Sequence, residues 1–263
     1  MNPIRLLFCF FTALVPSILG AISGIGGGII IKPVLDAFSA FTPEEINFLS
    51  GSTVLAMSTV SLIQSRRKKM KMDDRRGIFL ALGAAAGGTS GKFLFTAAVI
   101  NAPGRTVTMI QSGILVFLCT AVFIYMLKKD LIKTFNIKNA AFCFFLGAGM
   151  GIISAFLGIG GGPINIMIIS CFLGMDSKIT GLYSIYVICL SQLASLISSA
   201  ATGKIPEFSA MILAVMIIGG ITGGFIGSGI RADMKIKQID VFFRSILMGV
   251  IMLSVYQLVK LLI

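Results

Sequence analysis

The sequence GIGGG occurs twice in this chain, at residues 24–28 and 158–162, and each copy lies inside an apolar stretch. The second copy belongs to an uncharged run at residues 139–175, which is 37 residues long. One straight helix of that length would extend about 55 Å, whereas the hydrocarbon core of a bilayer is about 30 Å thick. We therefore expect the run to turn at its glycines, giving a long arm and then a shorter one, and we expect the same of the first copy.

The composition is that of a membrane protein. Of the 263 residues, 56% are hydrophobic and only 12% are charged, whereas soluble domains carry about 25% charged residues. Several runs contain no Asp, Glu, Lys or Arg and reach the roughly 20 residues that span a bilayer; they are residues 46–65, 106–127, 139–175, 179–203 and 208–230. Because these runs do not alternate between apolar and polar residues, they exclude a membrane β-barrel. The sequence predicts an all-α, multi-pass protein embedded in the lipid bilayer of the cell (cytoplasmic) membrane.

The formal net charge of +12 does not indicate a nucleic-acid partner. The basic residues cluster in short connections, as at residues 66–71 and 128–129, which is typical of cytoplasmic loops that obey the positive-inside rule. The chain contains no histidine, so a metal site or histidine-based catalysis has little to build on. We expect no enzymatic activity, no catalytic residues, no bound metal and no cofactor.

A second glycine pattern indicates that the chain is duplicated. The pattern G-x3-G-G-x2-G occurs at residues 83–91 and 219–227, an offset of 136 residues, close to the 134 that separate the GIGGG copies. Two patterns in the same order at nearly one offset are typical of an internal repeat. We predict one transporter domain, with repeat one at residues 4–127, a basic linker at 128–138 and repeat two at 139–263.

Each predicted repeat has four hydrophobic segments, about eight in total, and opens with its glycine-broken, re-entrant segment. The three spans that follow are predicted at about residues 46–65, 77–98 and 106–127 in the first repeat and at 179–201, 208–230 and 241–261 in the second. If the broken segments return, each repeat crosses the membrane an odd number of times and the repeats are inverted. The connections at residues 66–76, 128–138, 174–178 and 231–240 then share a side and hold 15 of the 22 Lys and Arg residues.

Parallel repeats also satisfy the positive-inside rule, because the basic residues then divide 14 to 5 between the two sides. We favour inversion, with both termini outside, since inverted repeats with broken helices recur in transporters.

The glycine breaks are the candidate binding site. A helix that begins just after GIGGG points free backbone N–H groups and its positive dipole end at the break, which makes an anion site without charged side chains. Glycine also lets the backbone come close to a ligand, although close helix packing is the alternative reason for its presence. The predicted substrate-binding glycines are Gly24, Gly26, Gly27, Gly28, Gly158, Gly160, Gly161 and Gly162.

Polar residues near the breaks complete the candidate site. Ser23, Lys32 and Asn165 flank the glycines, and the repeat pairs Lys32 with Ile166. A lysine inside a membrane segment indicates function, although snorkelling or pairing with Asp36 one turn away are alternatives for Lys32. Hydroxyl and amide groups at the next span either orient an oxyanion or join helices. The span of the first repeat begins with the polar stretch at residues 50–53, and the site candidates are Ser52, Thr53, Tyr183 and Gln192, with Gln111 and Lys92 as weaker candidates.

All ten acidic residues lie in or beside predicted connections. Proton relays and cation sites use a carboxylate at the centre of a span, and the sequence predicts no carboxylate there. An anion that leaves a negative interior gains about 2.3 kcal/mol per charge per 100 mV, so export needs only the membrane potential. A small anion is the predicted partner. The alternatives are an ion-coupled carrier of another small metabolite and a non-transporting membrane assembly factor.

Two four-segment halves that each open with G-I-G-G-G resemble the TauE/SafE family of sulfite and organosulfur-anion permeases, over essentially the whole chain. The first copy with Pro33 fits the family pattern G-x-G-G-G-x4-P. In the second copy Pro163 follows directly and Met167 replaces the later proline, so we expect the second short helix to start in a different frame. The resemblance implies transport of small inorganic or organosulfur anions such as sulfite, thiosulfate and sulfonates.

Overall fold

The computed structural model describes residues 3–38, 41–68, 74–203 and 205–262. Within these ranges the chain is helical and contains no strand. The helices are α1 (Pro3–Ser23), α2 (Gly28–Phe38), α3 (Pro43–Arg67), α4 (Asp74–Asn101), α5 (Gly104–Lys128), α6 (Ala140–Leu157), α7 (Gly162–Leu173), α8 (Ser177–Ala201), α9 (Ala210–Asp233) and α10 (Ile236–Leu262). Of these, 8 are long and apolar enough to cross a membrane, and α2 and α7 are shorter. The predicted class, an all-α polytopic membrane protein, is confirmed.

Capping side chains fix where several helices begin. Thr42 Oγ1 accepts a hydrogen bond from the Glu45 N–H at 3.3 Å, and Glu45 Oε2 accepts one from the Thr42 N–H at 2.7 Å. Asn139 and Asp176 cap α6 and α8 with side chains that each accept from two backbone N–H groups. These caps satisfy donors that the first turn of a helix leaves free. For this reason α3 and α8 begin slightly before the predicted spans.

Both GIGGG segments lie between two helices. Helix α1 ends at Ser23 and α2 begins at Gly28, while α6 ends at Leu157 and α7 begins at Gly162. The short helices have 11 and 12 residues, about 17 Å of helix each, which is less than the hydrocarbon core. The expected difference in frame is wrong, because both short helices begin at the last glycine of the motif. Pro163 fits in the first turn of α7, where its missing N–H leaves no hydrogen bond unmade.

The first helix of each half packs against a helix of the other half. Helix α1 lies along α9 and α6 lies along α4, with glycines at both contacts. A Cβ added at these glycines would press on the facing helix; they are Gly219, Gly223 and Gly227 against Phe10, Leu14 and Ile18, and Gly83, Gly87 and Gly91 against Phe144, Ala148 and Ile152. The missing side chains let the backbones approach closely, which is how membrane helices gain packing contact.

The same contacts give the relative directions of the helices. Residue numbers rise together along α1 and α9, and also along α4 and α6, so each pair is parallel. Gly220 contacts Thr53 and Gly224 contacts Met57, so α3 is parallel to α9 and hence to α1. Helix α2 must therefore return toward the side on which α1 begins. This supports the predicted re-entrant hairpin in the first half.

Corresponding spans of the two halves run in opposite directions. Helices α3 and α8 hold the same place in the two predicted repeats. Gly51 lies beside Gln192, whereas Thr59, further along α3, contacts Cys189, so residue numbers fall on α8 as they rise on α3. This arrangement supports inverted repeats. The repeat boundaries and the inversion stay predictions.

The outer surface of the helical bundle carries large apolar side chains. Phe93, Phe117 and Phe145 are 73%, 72% and 72% exposed. Such exposure is unfavourable in water and favourable in lipid, so the outer surface fits a bilayer.

Candidate functional site

The two glycine breaks touch each other. A Cβ added at Gly28 would lie 2.5 Å from the carbonyl oxygen of Ile159, and one added at Gly162 would overlap the carbonyl oxygen of Ile25. The two contacts are equivalent, because each joins the isoleucine of one motif to the last glycine of the other. At these four residues the breaks are in direct contact, with no open space between them.

Positive backbone angles shape both breaks. Gly24, Gly26, Gly158, Gly160 and Gly161 have φ values between 66° and 82°. Residues with a Cβ rarely adopt this left-handed region, so these positions require glycine for the turn itself. Packing alone would not produce this requirement, which favours the interpretation of GIGGG as a helix break.

Several backbone N–H groups at the breaks have no backbone acceptor among the described residues. They belong to Gly27, Gly28 and Ile29 in the first break and to Gly160, Gly161 and Gly162 in the second. Helix starts leave such donors free, and the helix dipole adds positive potential at the same place. These donors can bind an anion once the starts of α2 and α7 move apart.

A small polar cavity lies beside the breaks. Its volume is about 10 Å³, room for about one water, and Leu157 and Ile159 form part of its wall. Lys32 lines it from α2 and is only 4% exposed. Lys32 Nζ donates to Gln111 Oε1 at 2.6 Å, and Gln111 Nε2 donates to the carbonyl oxygen of Phe156 at 2.6 Å. The lysine therefore does not snorkel, because a side chain of α5 holds it inside the protein.

Asp36 and Gln257 also line this cavity. Asp36 and Gln257 interact with each other, although neither Asp36 Oδ2 nor Gln257 Nε2 has a partner at ordinary hydrogen-bond geometry among the described residues. Asp36 lies two residues before the end of α2, beside the connection to α3, and its side chain faces this cavity. Within the described ranges, no three His, Cys, Asp or Glu side chains are placed to hold a metal ion.

A buried ion pair joins the end of α5 to α10. Lys129 Nζ pairs with Asp240 Oδ2, and Ser177 Oγ donates to Asp240 Oδ1 at 2.5 Å. Asp240 is 8% exposed and lies near the start of α10, beside the connection from α9. Ser23 lines the small space beside this pair, but its Oγ donates to the Leu19 carbonyl of its own helix at 2.7 Å.

Three polar side chains gather near Gly161. Asn165 is fully buried, and neither polar atom of its amide has a hydrogen-bond partner among the described residues. Gln192 Nε2 donates to Ser154 Oγ at 3.5 Å. A Cβ added at Gly161 would lie 2.9 Å from Ser154 Cβ and 3.3 Å from Asn165 Oδ1. The structure thus brings the predicted Asn165 and Gln192 to the second break and adds Ser154.

The remaining predicted side chains make other contacts. Thr53 Oγ1 donates to a carbonyl of its own helix at 2.8 Å. Tyr183 is 1% exposed and belongs to an apolar cluster, and Ser52 is half-buried. Ser50, by contrast, donates to the carbonyl oxygen of Gly158 at 2.6 Å. The hydroxyl that reaches a break therefore comes from the predicted polar stretch at residues 50–53, but from Ser50 and not from Ser52 or Thr53.

Sequence comparison adds the family. The family described as Sulfite exporter TauE/SafE matches residues 9–257, nearly the whole chain. The chain belongs to this family. It is a membrane transporter by family, and the resemblance indicated by the paired glycine motifs is confirmed.

Curated relatives of this TauE/SafE chain are named as transporters. "Probable membrane transporter protein YunE" of Bacillus subtilis (strain 168) is 24% identical over 253 residues, which cover 89% of this chain and 91% of the relative. A "Probable membrane transporter protein" of Haemophilus influenzae (strain ATCC 51907 / DSM 11121 / KW20 / Rd) is 25% identical over 191 residues, which cover 68% of this chain and 66% of the relative. No solved structure matches the chain.

Sequence reasoning missed several buried polar residues of this TauE/SafE chain. Gln257 and Ser154 belong to no pattern, and only the packing of distant helices brings them to the site. Arg231 was assigned to a connection, but α9 extends past it and buries it. Gln111 was a weaker candidate and is the partner of Lys32. The sequence did indicate a role for Gln111, since a single amide side chain inside an uncharged span is costly in lipid.

Proposed function

We propose that this TauE/SafE transporter is a permease for small anions, and that the anion binds where the two GIGGG breaks meet. The observation that carries the proposal is the reciprocal contact of Gly28 with Ile159 and of Gly162 with Ile25. It brings two sets of free backbone N–H groups together. Each set belongs to the start of a short helix, where the dipole favours negative charge.

Lys32 and Asn165 supply the side-chain donors of the proposed site. Lys32 Nζ donates to the uncharged amide of Gln111, and Asp36 of the same cavity is the acid that acts on it electrostatically, so a bound anion would share the ammonium with Asp36. Asn165 keeps both polar atoms unpaired although it is fully buried. Buried polar groups are normally hydrogen-bonded, and an anion that accepts from Asn165 Nδ2 would give a partner to this donor.

Transport by this site requires the breaks to separate. Ile188 lies against both of them, 3.1 Å from a Cβ added at either Gly26 or Gly160, and Val54 lies 3.3 Å from the one at Gly160. Helices α3 and α8 cross at these side chains. A change in their crossing would expose the glycines to one side and then to the other, which is the alternating access that inverted repeats perform around a fixed site.

The proposed substrates are sulfur-containing oxyanions such as sulfite, thiosulfate and sulfonates. The family description names a sulfite exporter. Small oxyanions accept hydrogen bonds in several directions, which suits donors that converge from two helix starts. We place the protein in the cell membrane, where the membrane potential of about 2.3 kcal/mol per charge per 100 mV would drive export.

An ion-coupled carrier is the second candidate, and Asp36 is the observation that favours it. Its carboxylate shares the cavity with Lys32, and its Oδ2 has no partner at ordinary hydrogen-bond geometry among the described residues. A buried carboxylate beside an anion site offers a place for a proton or Na⁺ to accompany the anion. Flux would then require the gradient of that cation.

Flux measurements in liposomes distinguish these candidates. Purified protein is reconstituted, and uptake of sulfite, thiosulfate and sulfoacetate is measured at imposed potentials and pH gradients, with protein-free liposomes as the baseline. Anion flux that follows the potential and ignores pH and Na⁺ supports the permease. Strict dependence on a proton or Na⁺ gradient supports the coupled carrier. Baseline flux of all three anions contradicts the proposed anion site.

A further inference from the structure

Arg231 is a buried cation that the site described above does not use. It lies near the end of α9 and is only 2% exposed. Its Nη2 donates to the carbonyl oxygen of Lys178 at 2.5 Å. Its Nε and Nη1 have no hydrogen-bond partner among the described residues. Most donors of the guanidinium are therefore unused inside the protein.

Arg231 forms no ion pair with the carboxylates of the described residues. The acid that acts on it electrostatically is Asp176, but this carboxylate accepts from the backbone N–H groups of Lys178 and Ile179 at 2.8 Å and 3.0 Å and so caps α8. The Lys178 ammonium is also near, and it donates to the carbonyl oxygen of Ala232 at 2.6 Å. The surroundings of Arg231 therefore keep an excess of positive charge.

An arginine close to the end of a membrane helix usually extends to the interface, where water and headgroups solvate it. Arg231 instead stays inside, where a charge without a counter-ion is strongly unfavourable. A bound anion would remove this penalty, because oxyanion oxygens are the preferred acceptors of guanidinium N–H groups. The unpaired donors thus point to a ligand and not only to packing.

Gly181 connects Arg231 with the first glycine break. A Cβ added at Gly181 would overlap Arg231 Nη2, and a Cβ added at Gly24 would lie 2.5 Å from the Cα of Gly181. One layer of α8 backbone therefore separates the guanidinium from the break. An anion held by Arg231 would lie within a short movement of the donors at the break.

We propose that Arg231 forms a second anion-binding site, which holds the transported oxyanion on the side of the protein that carries the basic connections. The side is given by its neighbours, since Lys68 pairs with Asp233 at the same end of α9 at 3.2 Å. The inference rests on the proposed function for the identity of the anion. The site itself rests on the burial and the free donors of Arg231.

The position that the repeat pairs with Arg231 carries no charge. The glycine patterns of α4 and α9 are offset by 136 residues, which pairs Arg231 with Phe95. Phe95 is 1% exposed and apolar. The repeat likewise pairs Gly181, which makes room for the guanidinium, with Asn47. The two directions of transport therefore differ at this position, with a guanidinium on one side and an apolar ring on the other.

Side-specific kinetics test the second site. Radiolabelled sulfite is loaded into right-side-out and inside-out membrane vesicles that contain wild-type protein, Arg231→Gln or Arg231→Lys. We expect Arg231→Gln to raise the apparent KM by about 10-fold or more when sulfite is offered to the face with the basic connections, and by less than about 3-fold on the other face. Arg231→Lys should be intermediate. Folded Arg231→Gln protein with unchanged KM on both faces, or with equal increases, overturns the inference.

Gly181→Ala provides a second variant if Arg231→Gln does not fold, because its Cβ displaces the guanidinium while the charge remains. It should show the same one-sided rise in KM, and equal KM values on both faces would count against the site. Gly149→Ala, with no atom within 4 Å of the added Cβ, is the control. If wild-type protein transports none of the tested anions, the proposed function fails. In that case thermal stabilisation by sulfate that is present in wild type and absent in Arg231→Gln still supports the Arg231 site. No stabilisation of wild-type protein by sulfate contradicts both the proposed function and the Arg231 site.

Discussion

Gly28→Ala tests whether the contact between the two breaks is needed for transport. Gly28 begins α2, and its φ does not lie in the left-handed region, so the backbone there accepts alanine. The added Cβ would lie 2.5 Å from the carbonyl oxygen of Ile159 and 2.8 Å from its carbonyl carbon. Carbon atoms in ordinary contact are separated by about 3.5 Å or more, so one break must move by roughly 1 Å relative to the other.

The expected energetic cost of Gly28→Ala is modest. Overpacking costs about 1–3 kcal/mol, and alanine in place of glycine returns about 0.5–1 kcal/mol in a helix. The net loss of about 1–2 kcal/mol lowers the melting temperature by several degrees and leaves the protein folded. The effect on anion binding is larger, because a shift of about 1 Å removes a hydrogen bond to a charged ligand, worth about 1.5–3 kcal/mol, or about 10-fold or more in affinity.

The assay is sulfite flux in proteoliposomes, normalised to folded protein by size-exclusion chromatography and thermal melting. We expect Gly28→Ala to lose at least about 10-fold in apparent affinity. Gly149→Ala introduces the same methyl group with no atom within 4 Å and should transport like wild type. Normal transport by Gly28→Ala would refute the reasoning that the paired breaks form the anion site.

Two further predictions concern buried charges. Lys32→Gln keeps a hydrogen-bond partner for Gln111 and removes the positive charge, so the apparent KM for sulfite should rise by about 10-fold or more. The comparison variant is Lys92→Gln, because the Lys92 ammonium lies 5.1 Å from the ring centre of Phe95 on α4; it should change the KM little. Equal effects of the two variants on the KM would contradict a role for Lys32 in binding. Lys129→Met leaves Asp240 without its counter-ion, and because the pair is partly exposed the loss should be about 1–3 kcal/mol in thermal melting. The double variant with Asp240→Asn should recover part of this loss, and a single variant as stable as wild type would show that the pair is not stabilising.

Composition and local sequence were sufficient to predict the membrane helices and the places where they break. Long uncharged runs must be helices in lipid, because every backbone polar group needs an internal partner there. The positive φ values at Gly24 and Gly160 arise within the motif itself, so the helix break could be predicted from the local sequence alone. The reciprocal contact between Gly28 and Ile159 is a tertiary feature, and the duplication only indicated where to look for it.

The side-chain partners within the site depend on helix packing and could not be predicted. Lys32 and Gln111 are 79 residues apart. Their hydrogen bond depends on tertiary packing, in which α10 contacts both α2 and α5. Gln257 reaches the same cavity from the last helix. Arg231 was misplaced because hydropathy ends a span at its first charge, whereas α9 continues to Asp233. A helix boundary depends on its caps and neighbours as well as on its hydropathy.

The exchange of packing partners between the two halves sets an order for biogenesis. When α6 emerges from the ribosome, its partner α4 is already in the membrane, whereas α1 must wait for α9. Roughly 190 residues separate the end of α1 from the start of α9, which corresponds to about 10–40 s of synthesis at 5–20 residues per second. Throughout this interval the face of α1 that later meets Gly219 and Gly223 has no partner helix. The nascent chain therefore depends on lipid or on the insertion machinery to shield its first helix until the ninth arrives.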